Sequence, residues 1–203
     1  MKRLYTFICT ITLLVELTFA MVAQATAGGN VQAQPTGSGT PDDPILIENT
    51  EQFVTALMGN RYYAPEATYE RFAKCYRLES DIDLSSLTGE NGWIPAGSLY
   101  SGSTGNISCY MHKEFTGTLD GNGKTIRGLS FSTVSNPEKS QNVGLIAEIG
   151  AKGIVKNLSL EVSYLAGDIY VGGLAGVNSG KVENCEVTVA GEILGNLGVG
   201  GLV

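Results

Sequence analysis

The sequence predicts an all-β protein in which short parallel strands from successive copies of one repeat stack on each other. Three observations lead to this fold class: a repeat of about 28 residues, an apolar/polar alternation inside each copy, and abundant glycine. The chain has 27 Gly among its 203 residues, and aromatic residues make up 8%. Such a composition is typical of many tight turns between short strands.

The repeat is most regular in the last third of the chain, and we call each copy a pass. Residue numbers differ by 27 between Gly153 and Gly180, by 28 between Val171 and Val199, by 29 between Leu145 and Leu174, and by 29 between the heptapeptides TIRGLSF and IVKNLSL, which begin at Thr125 and Ile154. A single pass cannot bury its own apolar face, whereas stacked passes share a continuous core. The repeat therefore predicts a solenoid of parallel strands, a β-helix, over residues 115–203.

Each pass contains an alternation that changes frame once. In VKNLSLEV, Leu158, Leu160 and Val162 are apolar at every second position, which predicts one buried and one solvated strand face. The frame shifts at Asn157, Asn184 and Gly128, and these residue types tolerate the left-handed backbone that a bend requires.

Equivalent leucines and glycines are expected to stack from pass to pass. Leu145, Leu174 and Leu202 form a predicted inward column, and Gly173 and Gly201 allow consecutive passes to approach closely at a corner. No proline follows Pro137, as expected where strands need every backbone N–H. The pattern stops within a pass at Val203, and we expect further repeats in the full-length protein.

The chain before the repeats divides into three predicted regions. Residues 1–25 have the basic start, apolar stretch and small-x-small cleavage site of an export signal, and residues 26–43 are a polar, flexible lead-in. Residues 44–114 form an N-terminal cap region with Tyr-rich loops and a short helix that Asn49 can cap, with Gln52 completing a capping box. No later stretch is long and apolar enough to span a membrane.

Two segments carry a family resemblance. VGGLAGVNSGKVENCEV closely resembles the GLUG motif of repeat-bearing bacterial surface proteins. GSGTPDDPILIENTEQF, YRLESDIDLSS and FTGTLDGNGKTIRGL look like the lead-in of those proteins, including the β-helical part upstream of IgA-peptidase-like metalloproteases. The resemblance implies a right-handed parallel β-helix on an exported, often cell-surface, protein that acts as an adhesin or stalk. The peptidase motif HExxH is absent from this chain, so that activity is not carried over.

Clustered tyrosines are the binding residues that the sequence suggests. Exposed tyrosine offers a flat apolar face with a hydroxyl group, which suits contact with a glycan or a protein. The alternative is that these rings cover the end of the core beside the helix. The candidates, all outside the repeats, are Tyr62, Tyr63, Tyr69, Tyr100 and Tyr110.

No pattern in the chain favours catalysis, a metal or a cofactor. Asp81 and Asp83 share a strand face and could act as paired carboxylates, but acidic side chains at a strand end usually just face water. His112 is the only histidine, which excludes a multi-His metal site. The segment DGNGKT (120–125) lacks the remaining ligands of a calcium loop and is interpreted as a hairpin-like turn.

The cysteines allow one disulfide. Cys75 and Cys109 flank a loop-rich region and could pair in an oxidising compartment, or could both stay free. Cys185 lies at an inward position of the repeat and is interpreted as a small buried apolar residue.

Charge and repeat together favour an exported, non-catalytic scaffold or adhesin. The formal net charge of −7 and a pI near 4.7 argue against nucleic acid or anionic lipid as the main partner. A glycan or a cell-surface protein remains as the expected partner. Two alternatives stay open: the non-catalytic N-terminal part of a larger exported peptidase, and a carbohydrate-active enzyme on the same fold.

Overall fold

The computed structural model describes residues 34–59, 66–88, 92–99, 111–132 and 141–203. The chain divides into two units, Met1–Gln34 and Pro35–Val203, and the strands and helices belong to the second. The predicted signal (1–25) lies outside the described residues, and so do five of the singled-out side chains: Tyr62, Tyr63, Tyr100, Cys109 and Tyr110.

The prediction of an all-β chain with one short helix is confirmed for the described residues. A 3₁₀ helix at Glu66–Ala73 accompanies the α-helix, α1 (Thr50–Leu57). The strands are β1 (Ile45–Ile47), β2 (Cys75–Leu78), β3 (Ile82–Asp83), β4 (Ser98–Leu99), β5 (Met111–His112), β6 (Thr118–Ser132), β7 (Gln141–Val143), β8 (Ile146–Ile149), β9 (Ile154–Ala166), β10 (Ile169–Gly172), β11 (Ala175–Asn178), β12 (Lys181–Leu194) and β13 (Leu197–Gly200).

Parallel pairing dominates the sheets. The largest sheet has the order β1-β2-β6-β9-β12, with β3 also paired to β6, and a second sheet has the order β13-β10-β7. Strand β11 pairs with β8 in a third, and only the short pair β4–β5 among the described strands is antiparallel. Within the repeats, each strand pairs with its counterpart in the neighbouring pass: β6 with β9 and β9 with β12, β7 with β10 and β10 with β13, and β8 with β11. Strands β1, β2 and β3 come from the cap region and extend the largest sheet.

The registers of the later passes agree with the offsets in the sequence. Val155 lies opposite Val182, and Val171 lies between Val143 and Val199, so each pair is separated by one repeat. At the corner that follows, the Ile146 N–H donates to Leu174 O and the Leu174 N–H donates to Leu202 O, both at 2.9 Å. The Gly173 N–H donates to Gly201 O at 3.2 Å. The prediction that equivalent glycines and leucines of successive passes lie next to each other is therefore confirmed at this corner.

The predicted alignment of the first pass is wrong. Thr118 and Asp120, not Thr125 and Arg127, lie opposite Ile154 and Lys156. Partners on β6 and β9 are 36 residues apart at Thr118 and Ile154 and still 34 apart at Ile126 and Leu160, whereas the heptapeptides align at an offset of 29. The offset also varies along β6, because residues 121–123 lie opposite the single Asn157 and residues 127–128 lie opposite the single position 161. A fixed offset of 29 therefore superimposes side chains that the sheet does not pair.

The interpretation of DGNGKT as a hairpin-like turn is wrong, and Gly128 is left-handed as predicted but is not the counterpart of Asn157. Strand β6 runs through DGNGKT without reversing, because both halves pair in parallel with β9, so the segment is a bend rather than a hairpin-like turn. Gly128 has the left-handed φ of 75° that we expected but packs on Ser85, where a Cβ would lie 2.6 Å from the Ser85 nitrogen. The residue that matches Asn157 in the first pass is Asn122, with φ of 51°.

The bends at Asn157 and Asn184 are confirmed. Their φ angles are 54° and 49°, and their side chains form a hydrogen-bonded row along the sheet. Asn184 Nδ2 donates to Asn157 Oδ1 at 3.2 Å, and Asn157 Nδ2 donates to Asp120 Oδ1 at 3.0 Å. The row links three passes at the point where each strand changes frame.

The shared interior is apolar and extends from the helix into the repeats. Leu145 and Leu174 are each 1% exposed, whereas Leu202 in the last pass is 37% exposed. Cys185 lies opposite Leu158 and packs against this core, so its inward position is confirmed, but it is half-buried rather than buried as predicted. Burial raises the pKa of its thiol.

Helix α1 begins and ends as its sequence predicts. Asn49 Oδ1 accepts the Gln52 N–H at 3.0 Å, and Gln52 Oε1 accepts the Glu48 N–H at 2.7 Å, one residue before the position in a standard capping box. The buried Phe53 stacks on Trp93 with ring centroids 5.4 Å apart, which fixes the helix against the core. The lead-in before it ends in a turn where Thr40 pairs with Asp43, and the Cys75 N–H donates to Gly39 O.

Candidate functional site

A groove runs along one side of the largest sheet, between the sheet surface and the segments that precede it. It consists of three depressions of about 480, 640 and 310 Å³. The first and second share Glu70, Ala73 and Thr116, and the second and third share a wall made by Pro41, Cys75, Thr118 and Ile154. Shared walls place the three depressions next to one another in a row, which we call the sheet groove.

A row of alternating charge crosses the third depression. The register places Arg77 opposite Asp120, Asp120 opposite Lys156, and Lys156 opposite Glu183, each on the solvated face of its strand. Lys156 Nζ lies 3.3 Å from Asp120 Oδ2, while Arg77 pairs with Glu79 at 2.7 Å and Lys181 with Glu183 at 2.9 Å. Opposite charges on neighbouring strands favour this register over a shifted one.

Asp120 is the best-connected carboxylate of the row. Burial alone raises its pKa, but hydrogen bonds from Asn157, Asn122 and Lys156 outweigh burial and hold the pKa below the usual value. Its Oδ1 accepts the Asn122 N–H at 2.9 Å as well as the Asn157 amide. The carboxylate is therefore charged at neutral pH and fixed in position.

The cationic side chains of the second depression are not paired with carboxylates in the part of the chain that the structure describes, in contrast to those of the third. Lys74 and Lys152 line it and are exposed, and neither has an ion-pair partner among the described residues. Glu70 is the one other charged side chain among the described residues that line this depression. The middle of the sheet groove thus carries an excess of positive charge.

His112 closes the far end of the groove. Its Nε2 contacts Glu148 Oε2, and the Asn142 amide lies 3.3 Å from the same nitrogen, so three elements meet there. The sequence assigned no role to His112, and its contacts tie the β4–β5 pair to β7 and β8. No cluster of three or more His, Cys, Asp or Glu suited to a metal occurs within the described ranges.

The tyrosine candidates are represented in the described residues by Tyr69 alone. Tyr69 is 7% exposed, stacks on Phe72 with centroids 6.4 Å apart, and contributes to the wall of the first depression. Most of its ring is buried in the core. The roles of Tyr62, Tyr63, Tyr100 and Tyr110 stay predictions.

The paired carboxylates do not line the groove. Asp81 binds Arg127 at 3.1 Å and accepts the Thr125 N–H, and Asp83 accepts the Ser85 N–H at 2.9 Å. Cys75 is buried and lines the groove wall, while its candidate disulfide partner lies outside the described residues.

Sequence reasoning missed the sheet groove because its residues come from segments far apart in the chain. Lys156 and Glu183 are separated by one repeat, so their pairing could be anticipated. Asp120 was aligned incorrectly, and Arg77 precedes the recognisable repeats. The row of alternating charge becomes visible only when the register of β2 and β6 is known.

The fold and groove define an all-β protein built from stacked parallel strands, and comparison with known proteins adds two partial similarities. The chain matches no protein-family model and no solved structure. It is 35% identical over 180 residues to part of halomucin from Haloquadratum walsbyi, a match that covers 87% of this chain and 2% of halomucin. It is 29% identical over 160 residues to a protein from Evansella cellulosilytica described as a Gly-rich membrane protein, covering 75% of this chain and 15% of that protein.

The chain therefore spans a small fraction of the length of both relatives. Among the residues that the structure describes, no helix has the length and hydropathy that a membrane crossing requires.

Proposed function

We propose that this chain is an exported or cell-surface module with a right-handed parallel β-helix that serves as a non-catalytic, adhesin-like scaffold related to GLUG-repeat proteins. The observation that carries the proposal is the pairing of successive passes, parallel and one repeat apart, around one apolar interior. In such an arrangement each pass depends mainly on its neighbours. A module of this kind can be extended without redesign, which suits a stalk or spacer.

Surface location is supported by the relatives and by the start of the chain. One relative is described as a membrane protein, and both are much longer than this chain, as the small covered fractions show. The segment 1–25 has the pattern of an export signal. The module then presents its sheet groove outside the cell, where a glycan or a surface protein can reach it.

Export is tested by expressing the full chain with a C-terminal epitope tag in a bacterial host and fractionating the culture. We expect tagged protein outside the cytoplasm, with a new N-terminus directly after Ala25 or Ala27. The matched control carries Leu13→Arg and Leu14→Arg, which interrupt the apolar stretch and should keep the chain inside uncleaved. A parent chain that stays cytoplasmic and begins at Met1 contradicts the proposal.

The non-catalytic part is tested separately with the purified chain and acidic polysaccharides. We expect no release of new reducing ends over prolonged incubation. Release that disappears in a variant with Asp81→Asn and Asp83→Asn would instead support a carbohydrate-active enzyme.

A further inference from the structure

We infer that the sheet groove binds an extended anionic polysaccharide, whose carboxylate or sulfate groups lie between Lys74 and Lys152. This inference rests on the proposed function, because it names the ligand that an adhesive module would hold. It concerns a site in the described part of the chain. Of the described residues among the suggested tyrosines, Tyr69 borders this site in the wall of the first depression, and the anion-binding step does not use it.

The shape of the groove favours a polymer over a compact small molecule. Its three depressions follow one another and adjoin at Thr116 and Thr118, so their order along the sheet matches an extended ligand. A compact ligand would fill one depression and leave the others solvated. An extended chain would contact all three and bury more of its surface.

The charge distribution favours an anion. The protein carries a formal net charge of −7, yet five of its 13 Lys and Arg side chains line this one groove. They are Lys74, Arg77, Lys113, Lys152 and Lys156. Among the described residues, the same walls carry four carboxylates, Glu70, Glu114, Asp120 and Glu183, so the excess of positive charge is concentrated in the second depression, where Lys74 and Lys152 face Glu70 alone. The local field of that depression attracts negative ligands.

Pairing determines which of these cations can hold a ligand. Arg77 is already paired with Glu79, and Lys156 is already paired with Asp120, so a ligand would have to displace those carboxylates. Lys74 and Lys152 have no such partner among the described residues and face the largest depression. The anionic groups of a ligand therefore bind best in the middle of the groove.

The remaining lining suits a sugar. Thr40, Thr116 and Thr118 supply hydroxyl groups that can donate to and accept from sugar hydroxyls. Pro41 and Pro44 add flat apolar faces at the boundary with the third depression. Hydroxyl groups beside exposed lysines match a polymer that alternates hydroxyl and acidic groups.

The experiment measures binding of the purified full chain to polygalacturonate, to uncharged dextran of similar length and to single-stranded DNA. We expect binding to polygalacturonate that weakens as salt rises, and weaker or no binding to the other two polymers. The variant with Lys74→Gln and Lys152→Gln should bind polygalacturonate about tenfold more weakly, since each exposed charge pair contributes up to about fivefold.

Two controls separate a specific site from general attraction. Lys124→Gln removes a positive charge from a side chain that does not line the groove and should leave binding within about twofold. Thermal melting of each variant checks that the fold is retained. We expect unchanged melting temperatures, because Lys74 and Lys152 are exposed.

Three outcomes overturn the inference: no binding to polygalacturonate, equal or stronger binding to dextran or DNA, or a Lys124→Gln loss as large as that of the double variant. Because these assays use purified protein, the inference can fail while export and the scaffold role stand. Failure of the export assay would leave a measured affinity intact.

Discussion

Asparagine determines where the strands bend. Four of the five non-glycine residues with positive φ among the described residues are Asn, the fifth being Tyr170 at 58°. Asn142, Tyr170 and Gly198 occupy the same position in successive passes and are all left-handed, so one corner is repeated three times. The sequence indicated the bends at Asn157 and Asn184, but Tyr170 could not be predicted because a bulky residue rarely adopts this backbone.

The contribution of the hydrogen bonds between Asn184, Asn157 and Asp120 to stability can be measured with two variants of Asn157. Asn157→Ala removes two side-chain hydrogen bonds and places a Cβ-bearing residue without a polar side chain in the left-handed region, and should lower the free energy of unfolding by about 2–4 kcal/mol. Asn157→Gly keeps the backbone relaxed and should cost about 1–2 kcal/mol. Urea denaturation measures both. If both variants were as stable as the parent, the side-chain hydrogen bonds of Asn157 would contribute nothing to the free energy of unfolding.

We expect the free energy of unfolding to fall at alkaline pH because of Tyr76. Burial raises the pKa of Tyr76 to about 12, and its hydroxyl donates to Arg71 O at 2.9 Å. A folded-state pKa above the unfolded value means that the folded chain retains its proton longer. The associated stability is complete below pH about 10 and falls by about 2–3 kcal/mol as pH rises to 12.

The control for this pH effect is Tyr76→Phe, which has no proton to lose. Its unfolding free energy should fall less between pH 10 and 12 than that of the parent, as measured by denaturation at fixed pH values. Identical slopes for the two proteins would contradict the assignment to Tyr76.

At the scale of elements, the sequence predicts a helix or strand correctly where residues close together in the chain determine it. Helix α1 has a capping Asn49 and apolar residues at helical spacing, and it forms at Thr50–Leu57. The first pass was misaligned because β6 pairs with β9 at an offset that varies from 33 to 36 residues, and no local signal in the sequence determines that register. Similarly, Arg77 and Asp120 became neighbours only through the register of separate strands.

Helix α1 is held at its end by a distant arginine. Arg71 Nη1 donates to Thr55 O at 3.1 Å and Nη2 donates to Met58 O at 2.7 Å, so the guanidinium binds carbonyls that the helix leaves open. Arg71→Ala should lower the free energy of unfolding by about 2–3 kcal/mol, because charge-assisted hydrogen bonds are lost in a partly buried site. Chemical denaturation measures this loss.

Arg71→Lys serves as the matched variant. It keeps the charge but cannot reach both carbonyls with a planar fork, so it should recover only part of the lost stability. Full recovery would show that charge alone, rather than the two-carbonyl geometry, anchors the helix.

At the scale of the whole molecule, stability should follow the stacking of passes. Leu174 is 1% exposed with a pass on each side, whereas Leu202 is 37% exposed. In a purified chain that ends at Val203, Leu174→Ala should therefore lower the free energy of unfolding by about 2–5 kcal/mol and Leu202→Ala by about 1 kcal/mol. Thermal denaturation of the two variants compares the same chemical change at equivalent positions. Equal losses would indicate that the leucines are not part of one column.

The stacking itself is tested most directly by cysteine cross-linking in a chain whose natural cysteines are replaced by alanine. Glu161 and Thr188 lie opposite each other on β9 and β12. Their Cα atoms should be about 4.8 Å apart, within disulfide reach, whereas Glu161 and Glu186 should be about 8 Å apart. With parallel, in-register passes, Glu161→Cys with Thr188→Cys should cross-link under mild oxidation, and Glu161→Cys with Glu186→Cys should not. Cross-linking of the shifted pair in preference to the opposed pair would contradict the account.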